Sequence, residues 1–164
     1  MMNSKYRPLM LVGSAALALI LTACATAPAP APLADVLARD PNLSTFNRLV
    51  VQAGMTDALR GAGPLTVFAP NDEAFKAVPA KTMETLAQDP VQLKAVLNFH
   101  IANGKLAAAD VQSGSVKSLQ GASLTTSRTG NFVGIDDALV QQADINATNG
   151  IAHVIDRVLM PPKK

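Results

Sequence analysis

Residues 66–75 read Thr66-Val67-Phe68-Ala69-Pro70-Asn71-Asp72-Glu73-Ala74-Phe75, and within these ten residues the pattern changes from that of a strand to that of a helix. The apolar run Leu65–Ala69 predicts a buried strand, which Pro70 ends. Asn71 can then cap a helix through its side-chain oxygen. Asp72 and Glu73 stand in the first turn of that helix, where carboxylates complement the helix dipole. A strand, a tight turn and a helix are therefore predicted in direct succession.

Two further helices are predicted on either side of this unit. Upstream, apolar residues recur at i, i+3, i+4 and i+7 over 46–53, with Ser44 as the predicted N-cap and Gly54 as the predicted stop. Downstream, Asp89 is predicted to cap a helix that has Pro90 at its first position. The expected result is a layer of amphipathic helices around the buried strand.

The helix that begins at Pro90 is predicted to carry His100 on its apolar side. Leu93, Val96, Leu97 and His100 again follow the spacing i, i+3, i+4 and i+7. We therefore expect the imidazole of His100 to face the protein interior. A short helix is also predicted over 82–87.

The part of the chain after Gly104 predicts an antiparallel meander. Its short β-prone segments, separated by turn residues, are Ser115–Leu119, Ser123–Arg128, Phe132–Ile135, Leu139–Gln141 and Ile145–Thr148. The final segment, Ile151–Met160, is largely apolar on both sides, which is typical of a strand in the middle of a covered sheet. Helices early and a meander late predict an α+β domain.

Residues 1–23 predict an export signal. Lys5 and Arg7 precede the apolar stretch Leu9–Leu21, whose thirteen residues are fewer than the about 20 that a membrane-spanning helix needs. A permanent anchor helix is therefore the weaker alternative. Leu21-Thr22-Ala23-Cys24 resembles the lipobox of bacterial lipoproteins, in which the cysteine is acylated and becomes the new N-terminus. The other alternative is an incidental cysteine after an ordinary signal peptide.

Acylation of Cys24 implies that the mature protein is held at a membrane, because two or more buried acyl chains give stable attachment. In Gram-negative lipoproteins an aspartate after the cysteine commonly signals retention in the inner membrane. Ala25 stands there, which favours the outer membrane, facing the periplasm or the cell surface. Residues 24–32, in which alanine and proline alternate over 27–32, predict an extended tether. The folded domain is assigned to residues 33–164.

Charge and composition exclude several classes of function. Apart from Lys5 and Arg7, twelve basic residues balance twelve acidic ones, which gives no support to nucleic-acid binding. The single cysteine excludes an internal disulfide. Two histidines without an HExxH motif do not make a zinc site, and no GxSxG, P-loop or GxGxxG motif occurs. We therefore expect no metal, no cofactor and no enzymatic activity.

Two segments resemble the signature blocks of a known family. Residues 66–75 are similar to the first block of fasciclin domains, and Asn149–Leu159 is similar to the second. The two blocks occur in order within a body of the right length, so the resemblance covers residues 33–162. It implies a wedge-shaped α+β fold of two β-sheets with packed N-terminal and central helices.

The resemblance also points to individual residues. Phe99-His100 occupies the place of the family's central Tyr-His pair, a region associated with integrin-type adhesion in several members, and Phe99 lacks the phenolic hydroxyl. By family analogy Asp72 is the expected hydrogen-bond partner of His100. We interpret His100 as a core residue and keep a role in recognition as the alternative. His153, within the final apolar strand, is interpreted as structural.

Two functions of different classes follow from these observations. The first is a lipid-anchored module of the cell envelope that presents its surface to a protein or polysaccharide partner in adhesion. The alternative is a carrier of a hydrophobic small molecule such as a carotenoid, because some fasciclin-family proteins bind carotenoids. A visible absorbance that co-purifies with the protein would favour the carrier. The sequence leaves the oligomeric state open.

Overall fold

The computed structural model describes residues 29–162, so Cys24, the predicted export signal and part of the predicted tether lie outside the described residues. The helices are α1 Leu33–Arg39, α2 Ser44–Gln52, α3 Thr56–Arg60, α4 Asp72–Lys76, α5 Ala80–Gln88 and α6 Pro90–Phe99, with a 3-10 turn over Pro41–Leu43. The strands are β1 Leu65–Pro70, β2 Ile101–Asn103, β3 Gly114–Lys117, β4 Ser123–Thr129, β5 Phe132–Ile135, β6 Ala138–Ala147 and β7 Gly150–Ile155. None of the helices in this range is long and apolar enough to cross a membrane.

The strands pair in the order β2-β1-β7-β6-β5-β4-β3. β1 and β7 run parallel, from Leu65 opposite Gly150 to Pro70 opposite Ile155, and every other pair is antiparallel. An isolated bridge between Ala102 and Ser118 brings the two edges of the sheet together. The result is a seven-stranded wedge that almost closes into a barrel.

The α+β prediction is confirmed, and the meander from β3 to β7 is formed as expected. The two predicted sheets form one continuous sheet, because β6 is long enough to pair with a strand of each. Its first residues pair with β5, and the rest pairs with β7.

The central strand pair is covered on both of its faces. All residues of β1 and of β7 are buried. Val67 and Val154 point into a core formed with the helices, whereas Phe68 and Ile155 point into a second core inside the sheet. The expectation that the last strand is central is therefore confirmed, since β7 lies between β1 and β6.

Two of the predicted helix caps are formed. The side chain of Asn71 accepts a hydrogen bond from Ala74 N at 2.7 Å at the start of α4. Asp89 accepts from Val91 N at 2.9 Å at the start of α6. Ser44, predicted as a cap, is instead the first residue of α2, a shift of one position that is common at helix ends.

The predicted length of the last strand is wrong. The strand ends at Ile155 and not at Met160, because Asp156 closes the pairing with Leu139 and the chain then turns towards α6. Leu159 is buried although it lies outside the sheet. The alternation of apolar residues in the sequence therefore continues beyond the end of the strand.

The two predicted segments over 139–148 are one strand, β6, with two irregularities in its pairing. Asp144 lies in this irregular part with a positive φ of 59°. The short elements α1 and β2 were not predicted, because seven and three residues are too few to show a clear period.

Candidate functional site

The imidazole of His100 lies in the core at the end of α6, with 1% of the residue exposed. Its Nε2 accepts a hydrogen bond from Leu159 N at 3.0 Å, so the proton of the neutral ring is on Nδ1 and is donated to Val96 O at 2.8 Å. Burial lowers the pKa of His100 to about 4. Phe46 packs against it with ring centroids 6.1 Å apart. His100 therefore joins α6 to the segment that follows β7.

The expected hydrogen bond between Asp72 and His100 is not formed, and that prediction is wrong. Asp72 accepts from Ser44 Oγ at 2.7 Å and from Thr45 N at 2.8 Å. It therefore caps the first turn of α2, where backbone N–H groups lack partners within the helix. Desolvation raises the pKa of Asp72, but the hydrogen bonds from Ser44 and Thr45 outweigh it and hold the pKa below its ordinary value. Asp72 joins α4 to α2, and His100 has other partners.

Phe99 is a core residue with 2% of its surface exposed. It packs in the cluster that contains Phe68, whereas the neighbouring His100 lies against Phe46 in the direction of the helices. The two residues of the family's central pair therefore face different parts of the interior, and neither belongs to the surface of the protein.

His153 occupies the middle of β7 and is also 1% exposed. Its Nδ1 accepts from Asp144 N at 3.3 Å, and its Nε2 lies 2.7 Å from Leu106 O, to which it donates. The ring stacks on Phe68 with centroids 5.8 Å apart. Burial lowers the pKa of His153. The side chain holds the irregular part of β6 and the loop after β2 against the central strand.

Both histidines are fully engaged by the protein itself. All four ring nitrogens of His100 and His153 have protein partners. Over residues 29–162, moreover, no group of three or more His, Cys, Asp and Glu side chains is placed to hold a metal ion.

Asn149 joins two helices to the turn before β7. Its Oδ1 accepts from Leu33 N at 2.8 Å, which secures the start of α1. Its Nδ2 donates to Leu59 O at 2.9 Å and to Gly61 O at 2.8 Å, which secures the end of α3. By local pattern, Asn149-Gly150 is only a turn before the last strand. The place of Asn149 in the second signature block is the sequence signal that indicates a larger role.

Replacing Asn149 with alanine is expected to lower the free energy of unfolding by about 2 kcal/mol or more. Leu33 N and Leu59 O would each lose a partly buried hydrogen bond at a cost of about 1 kcal/mol or more, and Gly61 O would lose an exposed one at a smaller cost. Chemical denaturation followed by circular dichroism measures the change. Asn146→Ala is the matched control, since Asn146 makes one exposed hydrogen bond within its own strand. Equal effects of the two substitutions would contradict this role of Asn149.

A groove of about 980 Å³ opens between α5, α6 and the segment that follows β7. Its wall is mainly apolar and includes Ala74, Val78, Leu86, Val96, Val158 and Met160. Asp156, Arg157 and Gln120 add polar groups, and Oε1 of Gln120 is buried without a hydrogen-bond partner among residues 29–162. The volume lies at the upper end of the range of about 300–1,000 Å³ that is usual for small-molecule sites.

The groove and the start of the domain lie at opposite ends of the central strands. Thr148 N donates to Ala31 O at 2.9 Å, so the chain enters the domain beside the first residue of β7. The groove is lined by residues that follow the last residue of β7. Six residues at about 3.3 Å each place about 20 Å between these two ends.

Comparisons with known proteins agree on one family. The family model described as "Fasciclin domain" matches residues 41–161. Protein sll1483 of Synechocystis sp. is 42% identical over 132 residues, which is 79% of this chain and 73% of that protein. The transforming growth factor-beta-induced protein ig-h3 of Sus scrofa is 36% identical over 129 residues, which is 78% of this chain but only 19% of that protein.

The fold has a solved counterpart in a FAS1 domain pair from the insect cell adhesion molecule fasciclin I. The TM-score is 0.65 at 20% identity, and the match covers 80% of this chain and 51% of that one. It supports the wedge architecture inferred from the two signature blocks. By its sequence and by its architecture, this chain belongs to the fasciclin domain family.

Proposed function

We propose that this protein is a lipid-anchored interaction module of the bacterial cell envelope, with a role in adhesion. Membership of the fasciclin family is the observation that carries the proposal. The fold neighbour belongs to a cell adhesion molecule. The described residues also support contact rather than chemistry, because both buried histidines are engaged by the protein itself.

The geometry of the domain is suited to display from a membrane. The tether joins the domain at the end where β7 begins, and the groove opens at the other end. An anchor on Cys24 would therefore leave the groove and the loops around it on the side away from the lipid. Residues 24–30, which precede the contact of Ala31 with the domain, would add a spacer of about 20 Å if extended at about 3.1 Å per residue.

Replacing Cys24 with alanine is expected to abolish acylation, because the thiol is the only one in the chain. Mass spectrometry of the N-terminus and fractionation of the host cells measure the change. The wild-type protein should begin at an acylated Cys24 and sediment with the membranes. Loss of surface attachment on deletion of the gene should be restored by the wild-type protein and not by Cys24→Ala.

Thr26→Ala is the matched control for Cys24→Ala, because Thr26 lies in the predicted tether. It should change neither the acylation nor the attachment. An uncleaved leader with a free thiol in the wild-type protein would contradict the proposed anchor. Normal attachment of cells that lack the protein would contradict the proposed role in adhesion.

The groove favours a second candidate function, that of a carrier for a hydrophobic small molecule. Its mainly apolar wall and its volume of about 980 Å³ are the observations that support this candidate. The two functions are compatible, since the groove opens away from the proposed anchor.

A further inference from the structure

We propose that the groove binds a long-chain carboxylate, with the acyl chain along the apolar wall and the carboxylate beside Arg157. This proposal deepens the carrier function and rests on it. It is independent of the lipid anchor and of adhesion. The argument rests on the shape of the groove, on the residues of its wall and on the charge at its opening.

The wall of the groove suits an alkyl chain. α5 and α6 contribute Leu86, Ala95 and Val96, and the segment after β7 contributes Val158 and Met160. The charged residues of α5 and α6, which include Lys81 and Lys94, are exposed and do not line the groove. A flexible apolar chain can therefore contact apolar side chains both from the helices and from the segment after β7. Burial of that surface is the main source of affinity.

The opening of the groove carries the guanidinium of Arg157. Arg157 lines the groove and is exposed, and it takes part in neither of the two ion pairs found over residues 29–162. The neighbouring carboxylate of Asp156 accepts from Leu139 N at 2.8 Å and so already has a partner. A guanidinium beside an apolar groove favours a carboxylate, which it can bind through two parallel hydrogen bonds.

A neutral apolar molecule would use only part of this site. It would contact the apolar wall but would offer no negative charge to Arg157. Charge complementarity therefore separates a fatty acid from an uncharged molecule of the same length, and the experiment compares these two.

The test uses the full-length protein in phosphatidylcholine vesicles and two photoreactive probes. One is palmitic acid with a diazirine in its chain, and the other is the corresponding hexadecanol. After illumination, mass spectrometry locates the adducts and measures their yield. The acid is expected to label the lining residues of the groove, to be displaced by unlabelled palmitic acid, and to label at least about tenfold more than the alcohol.

Three variants make the test specific. Arg157→Gln should lower labelling by the acid about tenfold and leave labelling by the alcohol unchanged. Lys94→Gln removes a cation of α6 that does not line the groove and should change neither. Ala95→Phe should fill the groove and lower labelling by both probes. Circular dichroism shows whether each variant is folded, and a folded Ala95→Phe with full labelling would place the adducts outside the groove.

The outcomes separate this proposal from the carrier function. If the acid and the alcohol label the groove equally, and if Arg157→Gln changes neither yield, the proposed preference for a carboxylate is wrong. The groove would then be a site for neutral molecules, and the carrier function would stand. If neither probe forms an adduct in the groove, both the proposed carboxylate site and the proposed carrier function are wrong. Neither result bears on adhesion, which the attachment experiment tests separately.

Discussion

Replacing Gly150 with alanine is expected to lower the free energy of unfolding by about 3 kcal/mol or more. An added Cβ would lie far inside contact distance of Leu65 O, and it would come within 2.8 Å of Leu33 Cδ1. The carbonyl belongs to the backbone of β1, so the conflict is relieved only by separating the parallel strands or by displacing α1. Both of these changes disturb the centre of the fold.

Chemical denaturation of the purified protein, followed by circular dichroism, measures this effect. Gly114→Ala is the matched control, because Gly114 lies in the edge strand β3 and an added Cβ there has nothing within 4 Å. Its effect should stay within about 0.5 kcal/mol. If Gly150→Ala were as mild as Gly114→Ala, the close approach of β1 and β7 would not be what requires glycine at position 150.

Lowering the pH from 7 to 4 is expected to remove roughly 3 kcal/mol of stability through His100 alone. The pKa of His100 is lowered by burial from 6.5 to about 4 in the folded protein, and each pKa unit corresponds to about 1.4 kcal/mol. Below pH 6.5 His100 is protonated in the unfolded chain but stays neutral in the folded protein. The free energy of unfolding therefore falls until the pH reaches about 4. Above pH 6.5 both states are neutral and the contribution is constant.

The variant His100→Gln isolates this contribution, because glutamine does not titrate. The variant is expected to be less stable at pH 7, since the ring's hydrogen bonds to Leu159 and Val96 are disturbed. Its disadvantage should shrink by roughly 3 kcal/mol between pH 7 and pH 4. Burial also lowers the pKa of His153, so this residue reduces the stability of both proteins at low pH. Its contribution is the same in both and cancels in the comparison. Parallel pH profiles for the two proteins would contradict the assignment.

The same buried geometry bears on whether His100 acts in recognition. A residue that is 1% exposed reaches a partner only if the core opens. We therefore expect His100→Ala to lower the melting temperature by several degrees. An unchanged melting temperature with lost binding would restore the role in recognition.

Much of the fold could be predicted from local patterns. The caps at Asn71 and Asp89, the buried strand that contains Val67 and the turns of the meander depend on neighbours within a few positions. These features have short-range physical causes, namely side-chain capping, periodic burial and turn geometry. For the same reason His100 was correctly expected to face inward.

The partners of the polar residues could not be predicted in the same way. Asp72 contacts Ser44, which is 28 positions away, and Asn149 contacts Leu33, which is 116 positions away. No periodic signal encodes contacts of such separation. The true end of β7 was missed because Leu159 is buried by packing outside the sheet, and burial alone does not distinguish a strand from an extended segment.

The α+β class, the central place of the last strand and the family could be inferred from the amino-acid sequence, because they follow from short-range patterns and from two signature blocks. The partners of His100, Asp72 and Asn149, and the groove at the end of the domain opposite to Ala31, could not be inferred in this way. Those features depend on segments far apart in the chain meeting in space, and hydrogen bonding and packing between them are settled only when the whole domain folds.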